Sequence, residues 1–267
     1  MEIGIVGLGL IGSSIARAIK ANTPHKVTGY DIDPDVVQRA LSDGVTDGVT
    51  DCGESDVIII ALYAGDTLGY IRDNAAKFRR GCIVTDCCGI KRAIAKEAAE
   101  IADRNGFVYV GGHPMAGTER SGYFNGSAEM LKNGYMLLTE ENAVLRELYT
   151  AIGMKVKITT AEEHDRMIAY TSQLAHVVSG AYVMSDTAKV CKGFSAGSFL
   201  DMTRVARLNE KMWTELMSLN RDNLTVELDG LISRLCDYRD ALREDDREKL
   251  NRLLRDGRLR KEESDIR

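Results

Sequence analysis

A chain of 267 residues, 44% apolar and 28% charged, has ordinary globular composition and length for one large or two medium domains. Its net charge of −5 leaves no general basic surface for nucleic acid or an anionic membrane, and no apolar run approaches the roughly 18 residues of a membrane span. The chain enters a strand pattern directly at "MEIGIVGLG", without a basic leader, and its six scattered cysteines contain no C-x-x-C pair; a cytoplasmic protein with reduced thiols and no metal site is the expectation.

The first half alternates between two textures. Short Val/Ile-rich runs predict strands at Glu2–Val6, Lys26–Tyr30, Asp56–Leu62, Cys82–Asp86, Phe107–Val110, Tyr135–Leu138 and Lys155–Ile158. Between them lie helical patterns such as "SSIARAIKAN" and "IKRAIAKEAAEIADRNG", the latter with apolar residues at helical spacing and a glycine stop. Such alternation predicts an α/β Rossmann domain, a doubly wound, mostly parallel sheet. After Ile158 the pattern changes. Thr160 and Glu163 form a capping box, and from there on no strand pattern and no proline occurs. Apolar residues recur at helical spacing through Leu254, so the boundary falls near 158: a dinucleotide-binding domain over 1–158 and an all-α domain over 159–267. The last stretch, Gly257 to Arg267, alternates charge without an apolar face and reads as a frayed tail.

Within "GIVGLGLIGSS" the run Gly7-Leu8-Gly9-Leu10-Ile11-Gly12 follows a strand and opens a helix. Gly7 suits the tight turn, Gly9 the approach of a pyrophosphate and Gly12 the packing of helix on strand, while Leu10, Ile11 and Gly12 bring helix N-terminal amides to the phosphates. The second strand ends "TGYDIDP", with Asp31 nineteen residues after Gly12, the spacing of a carboxylate that bonds a ribose 2′-hydroxyl. Asp33 is also acidic and no Lys or Arg is near, so NAD is expected over NADP. The run "GGHPMAGTERSG", Gly111 to Gly122, holds four glycines and reads as a loop beyond the carboxyl end of the Phe107–Val110 strand, where doubly wound sheets bind ligands. There His113 would face the nicotinamide, with the pKa range for a general base; a structural histidine bonding loop backbone is the competing reading.

Taken together, "GLGLIGSS", "GYDIDP", "TDCCGIK", "GGHPMAGTERSG", "SQLAH" and "FLDMTRVA" resemble the prephenate and arogenate dehydrogenases of tyrosine biosynthesis, from about residue 1 to about 225. The resemblance implies a Rossmann domain followed by an all-α C-terminal dimerisation domain, hence a homodimer, and NAD-dependent oxidative decarboxylation of an anionic cyclohexadienol. It implies that His113 takes the proton of the ring hydroxyl, that Arg204 binds a substrate carboxylate, that His176 helps place the substrate, and that Glu119, in the same loop as His113, orders the substrate pocket; Gln173 stands in the substrate-binding segment. Two positions depart from the family. Many members have Gly-Ser where this chain reads Cys88-Gly89-Ile90-Lys91, so the serine that bonds the catalytic histidine is replaced by Gly89, and His113 needs another partner, a water or a backbone group. Gln173 stands where some members carry another histidine.

Gln173 and His176 are three apart and share a helix face. An anionic substrate needs cations; Lys91, Arg120, Arg204 and Arg207 are the nearest by motif, and arginine suits a carboxylate through its two-pronged fork. Cys87 and Cys88 read as small packed residues at a turn, and Met212, Trp213, Met217 and Leu224 as core or dimer contacts. Prephenate is the main substrate reading and arogenate the alternative. A 3-hydroxyacid dehydrogenase would need a lysine on the first long helix of the second domain, and Thr160 to Met184 has none. An NAD sensor without chemistry stays open as the non-enzyme alternative.

Overall fold

The computed structural model describes residues 1–118, 120–194 and 196–265. In chain order the first elements are β1 (Glu2–Val6), α1 (Leu10–Asn22), β2 (Lys26–Tyr30), α2 (Pro34–Ser42), β3 (Gly48–Val49), β4 (Val57–Ile60), α3 (Ala64–Asn74), β5 (Ile83–Asp86), α4 (Arg92–Asn105) and β6 (Val108–Val110). All six strands join one parallel sheet in the order β3-β2-β1-β4-β5-β6. The order reverses beside β1, which sets the ligand crevice at the carboxyl ends of β1 and β4. Alternation along the strands feeds two cores. Ile3, Ile5, Val57 and Ile59 pack with Ile15 and Ile19 of α1 on one face. Val6, Ile58 and Ile60 pack with Ile71 of α3 and Ile94 and Ile101 of α4 on the other. Burial on both faces explains why these strands read as continuous apolar runs.

The chain then leaves this sheet. β7 (Gly112–Pro114) pairs antiparallel with β8 (Tyr135–Leu138), and after α5 (Ala143–Ala151), β9 (Lys155–Ile158) pairs parallel with β8. The expected single sheet is therefore two, of six and three strands. The expected loop carrying His113 is, at its start, a strand: His113 stands opposite Leu137. Glycine is there for close approach. A Cβ on Gly112 would meet Asp86 O at 2.4 Å and Met136 Cε at 2.5 Å.

Beyond β9 the described residues are helical or irregular. α6 (Ala161–Ile168) is capped by Thr160, whose Oγ1 accepts from the Glu163 N–H at 3.1 Å. It runs through a π-helical turn (Ala169–Gln173) into α7 (Leu174–Val183), followed by α8 (Gly197–Thr203), a 3₁₀ turn (Arg204–Ala206) and α9 (Glu210–Leu219). All of this belongs to a compact unit, Met1–Asn220. A second unit, Arg221–Arg267, contains α10 (Arg221–Arg243) and α11 (Arg247–Asp265). The expected frayed tail is thus helical as far as Asp265. It lacks an apolar face, but Arg258–Glu262 and Lys261–Asp265 pair across successive turns. Among the described residues no helix is long and apolar enough to cross a membrane.

Candidate active site

The glycine run forms a dinucleotide cradle. Gly7 has φ +86°, and a Cβ on Gly12 would lie 1.8 Å from Gly7 O, so α1 can start this close to β1 only without that side chain. A Cβ on Gly9 would meet nothing within 4 Å, leaving room on the face where a pyrophosphate would approach. No side chain caps α1 and its first turn is free of acids, so the amides around Leu10, Ile11 and Gly12 can serve an anion. Asp31 stands at the end of β2. Its Oδ2 accepts the Leu8 N–H at 2.7 Å and its Oδ1 the Asp33 N–H at 3.0 Å, which fixes the carboxylate beside the glycine turn. These residues fit a dinucleotide.

His113 is half-buried, and its Nδ1 lies 2.9 Å from Nε2 of His164. His164 Nδ1 lies 2.7 Å from Asp165 Oδ1. The expected partner of His113, a water or a backbone group, is therefore replaced by a buried imidazole. Asp165 also accepts the backbone N–H groups of Lys91 (2.7 Å) and Arg92 (2.9 Å), capping α4, which has no cap of its own. Burial holds His113 well below the usual 6.5, and neighbouring His164 and Lys91 push it the same way. Burial also lowers His164, against the opposing pull of Asp165. Burial alone would raise Asp165, but the His164 ring and the two α4 amides bring it below 3.8. At neutral pH the cluster is two neutral rings and one carboxylate.

Behind His113 lies a buried ion pair. Lys91 and Asp86 are 1% and 0% exposed and in contact. Lys91 Nζ also donates to Gly112 O at 2.6 Å, while Asp86 accepts from the Gly112 N–H (3.0 Å), the Tyr109 hydroxyl (2.9 Å) and the Cys88 N–H (3.0 Å). Both backbone groups of Gly112 are thus held from β5 and the start of α4, which pins the strand that carries His113. Lys91, by its motif a possible substrate cation, is fully engaged inside the protein. Burial pushes the Cys87 and Cys88 thiols up, so both stay protonated.

The remaining expected residues are spread over the helical region. Gln173 is 1% exposed; its Nε2 donates to Leu216 O at 3.2 Å and its Oε1 accepts from Asn220 at 2.9 Å, so the amide ties the π turn to α9. His176, three residues on, is half-buried with its Nδ1 2.9 Å from Ser172 O and its ring 3.8 Å from that of Trp213. Arg204 is exposed on the turn that packs against α7. Arg120 and Arg207 are exposed as well. Glu119 lies outside the described residues. α9 closes toward the nucleotide half: the Gly65 N–H at the start of α3 donates to Glu215 Oε1 at 2.7 Å, and Leu216 packs beside Gly89. His164 and Asp165 went unread in the sequence because their stretch registered only as the capped start of a helix. Among the described residues no group of three His, Cys, Asp or Glu could hold a metal ion.

The family model for the prephenate dehydrogenase nucleotide-binding domain matches residues 15–156, and that for the prephenate dehydrogenase dimerization domain matches residues 160–256. The chain is 34% identical over 236 residues to a prephenate dehydrogenase of Lactococcus lactis subsp. cremoris, covering 85% of this chain and 66% of that protein. It is 31% identical over 265 residues to a cyclohexadienyl dehydrogenase of Zymomonas mobilis, covering 92% and 89%. Its fold matches the crystal structure of prephenate dehydrogenase from A. aeolicus in complex with hydroxyphenyl propionate and NAD+, with a TM-score of 0.84 over 98% of each chain at 24% identity. Matches that begin in the nucleotide half and run on through the helices place the whole architecture in one lineage: the chain belongs to the prephenate dehydrogenase family.

Proposed function

We propose that the chain is an NAD-dependent prephenate dehydrogenase, converting prephenate to 4-hydroxyphenylpyruvate with loss of carbon dioxide in tyrosine biosynthesis. The observation that carries this is His113, a histidine held just past the carboxyl end of β6 in the parallel sheet whose β1 carries, at its own carboxyl end, a cradle that fits a dinucleotide. Bound NAD supplies the hydride acceptor. His113 takes the proton of the ring hydroxyl as the carbinol hydrogen leaves with its electron pair, and the carbinol becomes a carbonyl. The bond to the ring carboxylate then breaks, its electrons aromatise the ring, and the phenolate oxygen takes the proton back. Gly7, Gly9, Leu10, Ile11, Gly12 and Asp31 hold the cofactor. Arg204 binds a substrate carboxylate; its exposed guanidinium on the turn against α7 supports that role. His176 and Glu119 place the substrate, and Gln173 ties the π turn to α9.

The same reading assigns residues 1–158 to the nucleotide domain and 159–267 to a helical domain that forms a homodimer, supported by the bounds and description of the second family match. Exposed Val226, Ile232, Leu235 and Leu242 on α10 and Leu254 on α11 offer apolar surface for it, whereas Leu224 is 8% exposed and already packed. Free cysteines throughout support a cytoplasmic location.

The test is the initial rate of NADH formation with prephenate and with arogenate, on the wild type and on His113→Asn. Turnover of prephenate that falls at least about a hundredfold in the variant is expected. Faster turnover of arogenate would move the substrate assignment, and no turnover with either would overturn the proposal.

A further inference from the structure

The geometry points to a positioning role for His164 and Asp165: together they hold His113 as the Nδ1–H tautomer, so that its Nε2 presents a lone pair to the substrate hydroxyl. This inference rests on His113 as the proton acceptor proposed above.

An ionised carboxylate only accepts, so Asp165 Oδ1, 2.7 Å from His164 Nδ1, requires the proton of His164 to sit on Nδ1. A neutral imidazole has one N–H, which leaves His164 Nε2 as an acceptor. That atom lies 2.9 Å from His113 Nδ1, and two lone pairs cannot face each other at that distance, so His113 donates through Nδ1. Its single proton is then spent, and Nε2 is bare. The opposite order needs a charged His164 or a protonated Asp165. His164 is 2% exposed, and both its burial and the Lys91 ammonium disfavour its charged form. Asp165 is held ionised by the His164 ring, the α4 amides of Lys91 and Arg92 and the Arg92 side chain at 3.5 Å. The titratable groups around the chain are thus Asp165, Arg92, Lys91 and, paired with Lys91, Asp86.

The anchor is stiff. Asp165 is 1% exposed, spans two amides of α4, and its own carbonyl accepts from Asn220 at 2.8 Å. On the other side of His113 stands Gly89, whose missing Cβ would lie 3.9 Å from Nε2. Among the described residues the only side chain bonded to His113 is His164. Once Nε2 takes the substrate proton, the same Nδ1–H···Nε2 bond becomes charge-assisted, with the Asp165 carboxylate at its far end. Asp165 and His164 touch no substrate and act through His113.

The tautomers can be read directly from long-range proton–nitrogen correlations on full-length protein labelled with ¹⁵N-histidine, near neutral pH, assigned by single substitution of the four histidines. The wild type is expected to show Nδ1–H for both His113 and His164. Asp165 Oδ1 serves both His164 Nδ1 and the Lys91 N–H, and Oδ2 the Arg92 N–H, so in Asp165→Asn the carbonyl keeps the Arg92 N–H, the NH₂ turns to His164 Nδ1 and the Lys91 N–H loses its acceptor. Both rings invert to Nε2–H, and kcat falls at least about a hundredfold while KM stays within about threefold. A second pair leaves the α4 cap intact should that variant misfold. His164→Gln, whose carbonyl can accept from His113, keeps the Nδ1–H signature of His113 and turnover within about tenfold; His164→Leu loses both. Nε2–H on His113 in the wild type, or no change of its tautomer in His164→Leu, overturns the inference whatever the rates. Full turnover in His113→Asn overturns the base assignment instead, and the tautomers stand as measured.

Discussion

Leu216 of α9 lies against Gly89: a Cβ built on the glycine would sit 3.4 Å from Leu216 Cδ1 and 3.9 Å from His113 Nε2. The first distance is ordinary van der Waals contact. Gly89→Ser is therefore expected to fold, with stability within about 1 kcal/mol of the wild type by urea denaturation. Its hydroxyl comes within reach of Nε2 and donates to the lone pair, which favours the neutral ring. The acid limb of the kcat/KM profile is expected to move to lower pH; an unmoved limb would show that the hydroxyl points elsewhere.

Lys91→Met removes the cation from a buried pair and leaves the Asp86 carboxylate with its three neutral donors. Stranding a buried charge costs about 3–5 kcal/mol, and urea denaturation should show a loss of that size. Lys91→Met with Asp86→Asn should recover part of it, because no lone charge remains. A loss under about 1 kcal/mol in the single variant would mean that Asp86 takes up a proton at little cost.

The lowered pKa values set the direction of the pH response. Both His113 and His164 titrate below 6.5 when folded, so under that pH the unfolded chain binds more protons. Stability from these two rings is complete above pH 6.5 and is lost as pH falls toward their folded values. Asp165, lowered from 3.8, adds stability above that pH that is lost in stronger acid. Urea midpoints should therefore drop between neutral pH and pH below 6.5, more gently in His113→Asn. Activity should persist through pH 6.5, where an unperturbed histidine would be half protonated.

Asp31→Asn keeps an acceptor for the Leu8 N–H but removes the charge that would face a 2′-phosphate. The ratio of kcat/KM for NAD over NADP should fall by at least about tenfold, or about 1.4 kcal/mol. An unchanged ratio would place the discrimination at other residues.

The nucleotide half was legible because its physics is local. Val/Ile runs, a glycine turn and an acid at the end of the second strand each act within a few residues of themselves. β3 escaped because Gly48 and Val49 are a strand only by pairing with Thr28 and Gly29. β7 escaped because glycines that look permissive in sequence are there to let Asp86 and Met136 come close. The position of His113 could be read from the chain, but its partner could not. His164 is 51 residues away, and nothing in the spacing brings the two together. Gln173 shares a helix face with His176 as expected, yet its amide is spent inside the protein on Leu216 and Asn220.

The wide turn at Ala169–Gln173 changes what the count between histidines means. In an unbroken α-helix each residue advances about 100°, so His164 and His176, twelve apart in sequence, would diverge by about 120°. A π turn holds about one extra residue without advancing the helix, which cuts that divergence to about 20°. Deleting one residue within 169–173 would thus keep both rings in phase, whereas straightening the turn without a deletion would swing one of them about 100°, more than a quarter of the way around the axis.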